Sequence, residues 1–255
     1  MNKVHKAIQL GFRLLKIGAC NPRRLSHVLG TALSVSDEVV DRSRDLLRFP
    51  SIDIHDLLPA SGDPWEIKMA MFPKTYVSHA SISLLESTAL ILLLKRAEAK
   101  RIFEFGTFKG ISITQLALNL PPESEIYTLD LPEEPTGTRF AIADPEDAVI
   151  AIEKGKGTLV PAALRPCVKF LQQDSAAFDE TRFAGRMDFV FVDGAHNYDY
   201  VKNDSEKGWR MLRRGGIIAW HDCRPSDPGV VRYLLQSSFK PTRISSTTVA
   251  FATKP

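Results

Sequence analysis

The chain has 255 residues, of which 44% are hydrophobic and 25% are charged, and its formal net charge is +3. This length and hydrophobic content suit one globular domain, or one domain with an N-terminal appendage. Acidic and basic residues are interspersed through most of the sequence, and no sustained basic stripe predicts nucleic-acid binding. We therefore expect a globular protein without a nucleic-acid partner.

Residues 1–24 are the exception to the mixed charge, because they hold basic and apolar residues and no acid. A basic amphipathic helix can lie on an anionic membrane surface, or it can pack on the rest of the chain or on a second subunit. We favour packing, and we expect a homo-oligomer. Arg13 and Lys16 interrupt the apolar run, so we do not expect a signal peptide.

The cysteines give a hint about compartment. Cys20, Cys167 and Cys223 are widely spaced and form no C-x-x-C pair. An odd number of unpaired cysteines favours a reducing compartment. No apolar run reaches the ~18 residues that a membrane span needs. The sequence therefore predicts a cytoplasmic location.

The segment 49–76 carries four prolines that interrupt regular structure. It marks a boundary, and we predict an N-terminal helical extension with a substrate-side segment over residues 1–79. Residues 80–255 would form the second domain. We expect the contacts to a small-molecule substrate to come from residues 63–79 and 131–165.

From residue 81 onward, helical and strand patterns alternate. The spacing predicts helices over 81–98 and 111–120, a short one near 146–153, and one that ends at Gly215-Gly216. Strands are predicted over 101–105, 125–130, 168–173, 187–192 and 217–220, and the tail 243–252 suits a strand or hairpin. This alternation is typical of an α/β fold with a doubly wound, mostly parallel, Rossmann-like sheet.

The turn after the first of these strands holds Glu104, Gly106 and Gly110. Glycines let a backbone adopt positive φ and approach a ligand closely, as nucleotide-side turns require. A dinucleotide fingerprint would place glycines at positions 106, 108 and 111, but Phe108 and Ile111 stand there. An NAD-linked oxidoreductase is therefore disfavoured, although it stays an alternative.

Acidic residues lie at the carboxyl end of every predicted parallel strand or directly after it. In an open α/β sheet the carboxyl ends of the strands meet at the edge where ligands bind. Each acid alone could be a cap or turn residue, but five in succession predict a polar ligand site. They are Glu104, Asp130, Asp174 with Ser175, Asp193 with His196, and Asp222 with His221.

Two motifs carry a resemblance to a known family. The E-x-G-x-x-x-G pattern of Glu104, Gly106 and Gly110 resembles the first motif of class I S-adenosylmethionine-dependent methyltransferases. The D-G-x-H-x-Y element at 193–198, with the later His221-Asp222, is similar to macrocin-type and cephalosporin-cluster O-methyltransferases. The resemblance covers residues 80–223. It implies methyl transfer from S-adenosylmethionine to a hydroxyl of a small molecule or sugar, by in-line displacement.

The resemblance also implies roles for individual residues. It implies a catalytic pair, His196 as base and Asp193, and a Mg²⁺ or Mn²⁺ site formed by Asp193, His221 and Asp222. Related enzymes place an acid where His221 stands, so His221 is equally readable as a core histidine. The implied cofactor-binding residues are Glu104, Gly106, Thr107, Gly110, Ser112, Asp130, Asp174 and Ser175. A cofactor-binding scaffold without turnover stays open, because a fold alone does not define activity.

Overall fold

The structure is a computed structural model that describes residues 43–59, 64–77, 81–135, 137–142 and 144–255. The expectations for residues 1–24, and for helices before residue 43, lie outside these ranges. Within them, Asp45–Pro255 forms one compact unit. Every described helix is too short or too polar to cross a bilayer.

One eight-stranded sheet organises this unit. Its strands are β1 (Ser51–Ile52), β2 (Arg101–Phe105), β3 (Glu125–Asp130), β4 (Val168–Gln172), β5 (Met187–Val192), β6 (Leu212–Trp220), β7 (Thr242–Ile244) and β8 (Ala250–Thr253). They are ordered β1-β7-β8-β6-β5-β2-β3-β4, and β8 alone runs antiparallel to its two neighbours. The predicted mostly parallel sheet and the closing hairpin are confirmed.

Five α-helices are described: α1 (Leu84–Arg96), α2 (Ile111–Ala117), α3 (Pro145–Ala151), α4 (Tyr198–Met211) and α5 (Pro228–Gln236). Helix α1 begins with a capping box, in which Ser83 and Glu86 each bond the other's backbone N–H group. Short 3₁₀ turns lie at Leu46–Arg48, Ile54–Leu57, Lys74–Tyr76, Arg165–Cys167 and Thr181–Phe183.

The core forms two layers, one on each face of the sheet. Successive strand residues point to opposite faces, so Ile102 belongs to the layer that contains residues of α1 and α2, whereas Phe103 belongs to the layer that contains residues of α4 and α5. Strand β5 is buried at all six positions, as expected for a parallel strand covered on both sides.

The predicted helix end at Gly215-Gly216 was wrong. Helix α4 ends at Met211, and both glycines lie within β6. The pairing of β5 with β6 shifts register between Met187 and Phe189, whose partners are Leu212 and Ile217. Gly215 has a φ of +74° in this irregular stretch. The glycines therefore serve a break in the strand pairing instead of a helix cap.

The strand order reverses between β2 and β5. Strands β3 and β4 extend the sheet on one side of β2, and β5 and β6 extend it on the other. Loops that leave such a switch point diverge and open a crevice at the carboxyl ends of the strands. The topology therefore places a ligand site beside Gly106 and Asp193.

Candidate active site

A cleft of ≈ 1010 Å³, open to solvent, lies at this switch point. Its floor is formed by residues at the ends of five strands, including Gly106, Asp130 and Asp193, and Ile150 of α3 lies in its wall. Of the predicted strand-end acids, Asp130, Asp174, Asp193 and Asp222 line this cleft and Glu104 does not.

The glycine turn lies against the end of β5. Gly106 has a φ of +95°, and a Cβ atom there would lie 1.9 Å from the carbonyl oxygen of Asp193. Gly110 has a φ of +88° and is the N-cap residue of α2. Only glycine fits the close approach at residue 106, because an L side chain would meet main-chain atoms.

Glu104 lies beneath the turn and is fully buried. The hydroxyls of Ser112 and Thr128 donate to its two carboxylate oxygens, each at 2.6 Å. Thr107 Oγ1 lies 2.7 Å from Thr128 Oγ1. Burial raises the pKa of Glu104 to about 8, against the opposing effect of these hydrogen bonds. Glu104, Thr107 and Ser112 thus form a polar network under the turn, and the cleft lining does not include them.

Asp130 lies in the cleft and accepts four hydrogen bonds. Its Oδ2 atom accepts from the backbone N–H groups of Thr107 and Phe108, at 3.0 and 2.8 Å. Its Oδ1 atom accepts from the N–H group of Leu131 at 2.7 Å and from Lys156 Nζ at 2.6 Å. A carboxylate offers about four acceptor positions, so Asp130 is saturated in this arrangement.

Asp174 and Ser175 line the cleft after β4, the strand beside β3. Asp174 accepts from the N–H groups of Ala176 and Arg139 and from the Tyr200 hydroxyl, at 2.9, 2.7 and 3.0 Å. The first of these bonds is the local turn contact that an aspartate makes without any ligand. Asp174 is therefore a turn residue as well as a member of the cleft wall.

His196 is held between two buried carboxylates. Its Nδ1 atom lies 2.6 Å from Asp147 Oδ1, and its Nε2 atom lies 2.7 Å from Asp222 Oδ2. The side chain of His196 is 23% exposed, whereas those of Asp147 and Asp222 are 5% and 6% exposed. Burial alone would lower the pKa of His196, but the two carboxylates raise it to about 11.

His221 lies next to Asp222 and is surrounded by three carboxylates. Its Nδ1 atom is 3.0 Å from Asp193 Oδ1 and 2.9 Å from Asp222 Oδ2, and its Nε2 atom is 3.4 Å from Glu86 Oε2. Burial would lower the pKa of His221, but the acidic neighbours hold it well above its ordinary value. Burial would raise the pKa of Asp222, but its hydrogen bonds with His196 and His221 hold that pKa below the usual range.

Sequence reasoning missed three members of this site. Asp147 and Lys156 belong to the long connection between β3 and β4, which carries no recognisable motif. Glu86 has a sequence signal as the acidic member of a capping box, but that signal says nothing about its second contact with His221.

Comparison with known proteins agrees with the geometry. Residues 103–223 match the model of a family described as a methyltransferase domain. Tricin synthase 1 from Oryza sativa subsp. japonica is 34% identical over 53% of this chain and 50% of its own length. Caffeoyl-CoA O-methyltransferase from Stellaria longipes is 27% identical over 56% of this chain and 54% of its own length. The chain thus spans about half the length of these curated relatives.

A solved structure shares the fold. The cofactor-bound Rv0187 from MTB aligns with a TM-score of 0.50 and 17% identity, over 91% of this chain and 97% of that one. This alignment shows the Rossmann-like fold, and the similarity to a methyltransferase domain covers residues 103–223. The narrower resemblance to macrocin-type and cephalosporin-cluster enzymes stays a prediction.

Proposed function

We propose that the chain is an S-adenosylmethionine-dependent methyltransferase that methylates a hydroxyl of a small molecule or sugar. One observation carries this proposal: the glycine turn with Asp130 and the Asp147–His196–Asp222 cluster lie in the same cleft. The names of similar proteins, such as caffeoyl-CoA O-methyltransferase, support oxygen as the acceptor atom.

The charge of the cleft supports a cationic cofactor. Asp130, Asp174 and Asp193 line it, along with further aspartates in or near α3 and before α5. Such a cleft attracts a positively charged sulfonium more strongly than an anionic dinucleotide. In this proposal Asp130 binds the ribose, Asp174 and Ser175 approach the adenine, and the network of Glu104, Thr107 and Ser112 supports the turn.

The reaction would be an in-line displacement at the methyl carbon by the acceptor oxygen. The protein's share is to hold the two reactants in contact and to accept the hydroxyl proton. His196 lines the cleft together with Asp147 and Asp222. Because Asp147 and Asp222 keep His196 charged, both of its ring nitrogens carry a proton. We therefore infer that His196 first passes a ring proton to Asp222, and that the nitrogen freed in this way accepts the hydroxyl proton, so that the cluster gains one proton in total.

The donor set behind His196 fits a divalent cation. Asp193, His221 and Asp222 can each offer a ligand atom, and these atoms lie within 4.8 Å of one another. In this cluster five carboxylates, those of Glu86, Asp147, Asp193, Asp222 and Asp227, face three cationic groups, those of His196, His221 and Arg224. Two negative charges are left uncompensated.

We therefore infer that Asp193, His221 and Asp222 would hold Mn²⁺ more readily than Mg²⁺, because one donor is an imidazole. A bound divalent cation would supply Lewis-acid stabilisation of an acceptor oxygen. His221 must give up the Nδ1 proton it shares with the two aspartates to become a ligand, so binding would release protons.

Calorimetry with three ligands tests the cofactor assignment. S-adenosylmethionine and S-adenosylhomocysteine should bind and NAD⁺ should not, and Asp130→Ala should weaken binding by about 1.5–3 kcal/mol, typical of a hydrogen bond to a charged group. Asp199→Asn, an exposed change on α4, is the control. Binding of NAD⁺ without S-adenosylmethionine would overturn the proposal.

Turnover tests the chemistry. Transfer to caffeic acid, caffeoyl-CoA or a flavonoid should fall on the order of 10²–10⁴-fold in His196→Ala, the usual contribution of a general base. EDTA should abolish transfer, and Mn²⁺ should restore it while cofactor affinity persists. Full activity in the presence of EDTA would contradict the proposed role of a divalent cation.

We also infer a division of the chain into residues 1–79, which hold the N-terminal extension and a substrate-side segment, and residues 80–255. In this proposal residues 1–24 dock on a second subunit or a membrane surface, and the protein works as a cytoplasmic homo-oligomer. Deleting residues 1–24 should change oligomeric mass or liposome association and leave cofactor affinity intact. An unchanged mass and unchanged association would contradict the docking role.

A further inference from the structure

Helix α3 contributes one buried acid to the site, and this acid is bound to His196 at two points. Asp147 Oδ1 lies 2.6 Å from His196 Nδ1, and Asp147 Oδ2 accepts the backbone N–H group of His196 at 2.8 Å. The residues lie 49 positions apart in the sequence. One carboxylate therefore fixes both the main chain and the ring of the proposed proton acceptor.

The two-point contact constrains the imidazole ring. A carboxylate that receives the Nδ1–H group of a histidine sets which nitrogen is free for chemistry, and it limits rotation of the ring. Here the opposite nitrogen, Nε2, is directed at Asp222. Without Asp147, the ring could turn about the Cβ–Cγ bond and lose that direction.

Asp147 is itself held in place. It is buried, and its backbone N–H group lies 3.4 Å from Asp144 Oδ1 at the start of α3. The same helix lines the cleft with Ile150 and Ala151. The helix that shapes this wall of the cleft thus also aligns the proton acceptor.

We propose that Asp147 is a positioning residue, which aligns His196 for proton acceptance and couples this alignment to the placement of α3. The proposal rests on the methyltransferase function proposed above. Both carboxylate oxygens of Asp147 are bound to His196, so in this proposal it acts through His196.

The alignment can be measured without any acceptor. In the full-length protein labelled with ¹⁵N-histidine, the wild type should show a slowly exchanging Nδ1–H signal, assigned by its loss in His196→Asn. This signal should disappear in Asp147→Ala and persist in Asp147→Asn, because the amide oxygen can still accept one bond. Val149→Ala, an exposed change on the same helix, is the matched control and should leave the signal intact.

Kinetics separates alignment from simple destabilisation. Asp147→Ala should lower kcat by about 10–100-fold, the range for loss of a residue that orients a reactive histidine, while the KM for S-adenosylmethionine changes less than about 2-fold. Asp147→Asn should recover part of kcat. A retained Nδ1–H signal in Asp147→Ala, or a kcat equal to that of Val149→Ala, would overturn the proposal. A wild-type protein that transfers no methyl group would instead contradict the proposed function. The Nδ1–H signal of His196 would still test whether Asp147 positions the ring.

Discussion

The two halves of the cleft are built in different ways. The cofactor half, at the ends of β2 and β3, is shaped by the main chain. A Cβ atom at residue 106 would lie 1.9 Å from the carbonyl oxygen of Asp193, and Asp130 accepts three backbone N–H groups. The half near His196 is built from side chains that come from α1, α3 and the ends of β5 and β6.

This difference determines how each half should respond to change. Main-chain geometry in a close-packed turn tolerates almost no added volume, whereas a side-chain cluster depends on charge balance. Substitutions that add atoms should therefore damage the first half most, and those that remove charge should damage the second.

The largest expected effect is steric. Gly106→Ala should abolish cofactor binding and lower the free energy of unfolding by several kcal/mol, because the new Cβ meets the Asp193 carbonyl. Gly185→Ala is the matched control, since Gly185 also has positive φ, +67°, but an added Cβ there has no atom within 4 Å. We expect it to cost only about 1–2 kcal/mol. Equal losses in chemical denaturation would refute the steric account of the turn.

The next effect is electrostatic. Asp222 lies 2.7, 2.9 and 3.0 Å from His196, His221 and Arg224, so Asp222→Asn should destabilise the fold by about 3–5 kcal/mol, as loss of one buried partner does. Asparagine tolerates the φ of 54° at this position. Titration with Mn²⁺ should show lost binding as well. Wild-type stability and Mn²⁺ affinity in the variant would show that the cluster does not depend on this charge.

The buried acid of the cofactor half should make stability depend on pH. Between the ordinary pKa of a glutamate and about 8, the folded chain keeps a proton on Glu104 that the unfolded chain releases. Its contribution to stability therefore falls as pH rises through this window. Thermal unfolding should be measured for Glu104→Gln and the wild type at pH 5 and pH 8. From pH 5 to pH 8, the free energy of unfolding of Glu104→Gln should rise relative to that of the wild type by on the order of a few kcal/mol. A pH-independent difference between the two proteins would mean that Glu104 is ionised throughout.

The smallest expected effect concerns Lys156, whose side chain donates a hydrogen bond to Asp130. Lys156 must leave Asp130 Oδ1 before ribose hydroxyls can be accepted, because the carboxylate is saturated. Lys156→Met should therefore tighten S-adenosylmethionine binding by about 2–10-fold in calorimetry. Lys154→Met, in the same loop but with a side chain that is 72% exposed, should leave affinity unchanged. Weaker binding in Lys156→Met would contradict this expectation and would indicate that Lys156 contacts the bound cofactor.

The contrast between the halves also explains what the sequence could predict. Strand bounds at 101–105, 125–130 and 187–192 follow from apolar runs that end in acids, and the structure has those bounds. The turn was readable because glycine spacing encodes main-chain geometry. The roles of Asp147 and Lys156 could not be predicted, since their partners lie 49 and 26 positions away and the short helix predicted near 146–153 does not indicate which of its residues reach the cleft. The error at Gly215 has a similar origin, because a glycine pair signals positive φ without saying which element contains it.

The most direct test of the central claim is the destination of the methyl group. The protein should be incubated with S-adenosylmethionine carrying a ¹³C-labelled methyl group, with caffeic acid, caffeoyl-CoA and a flavonoid as acceptors, and the products observed by carbon NMR. The account predicts a methyl ether signal that grows with time in the wild type and is reduced at least 10²-fold in His196→Ala. A label that appears on nitrogen or sulfur, or that stays on the cofactor although the cofactor binds, would contradict it.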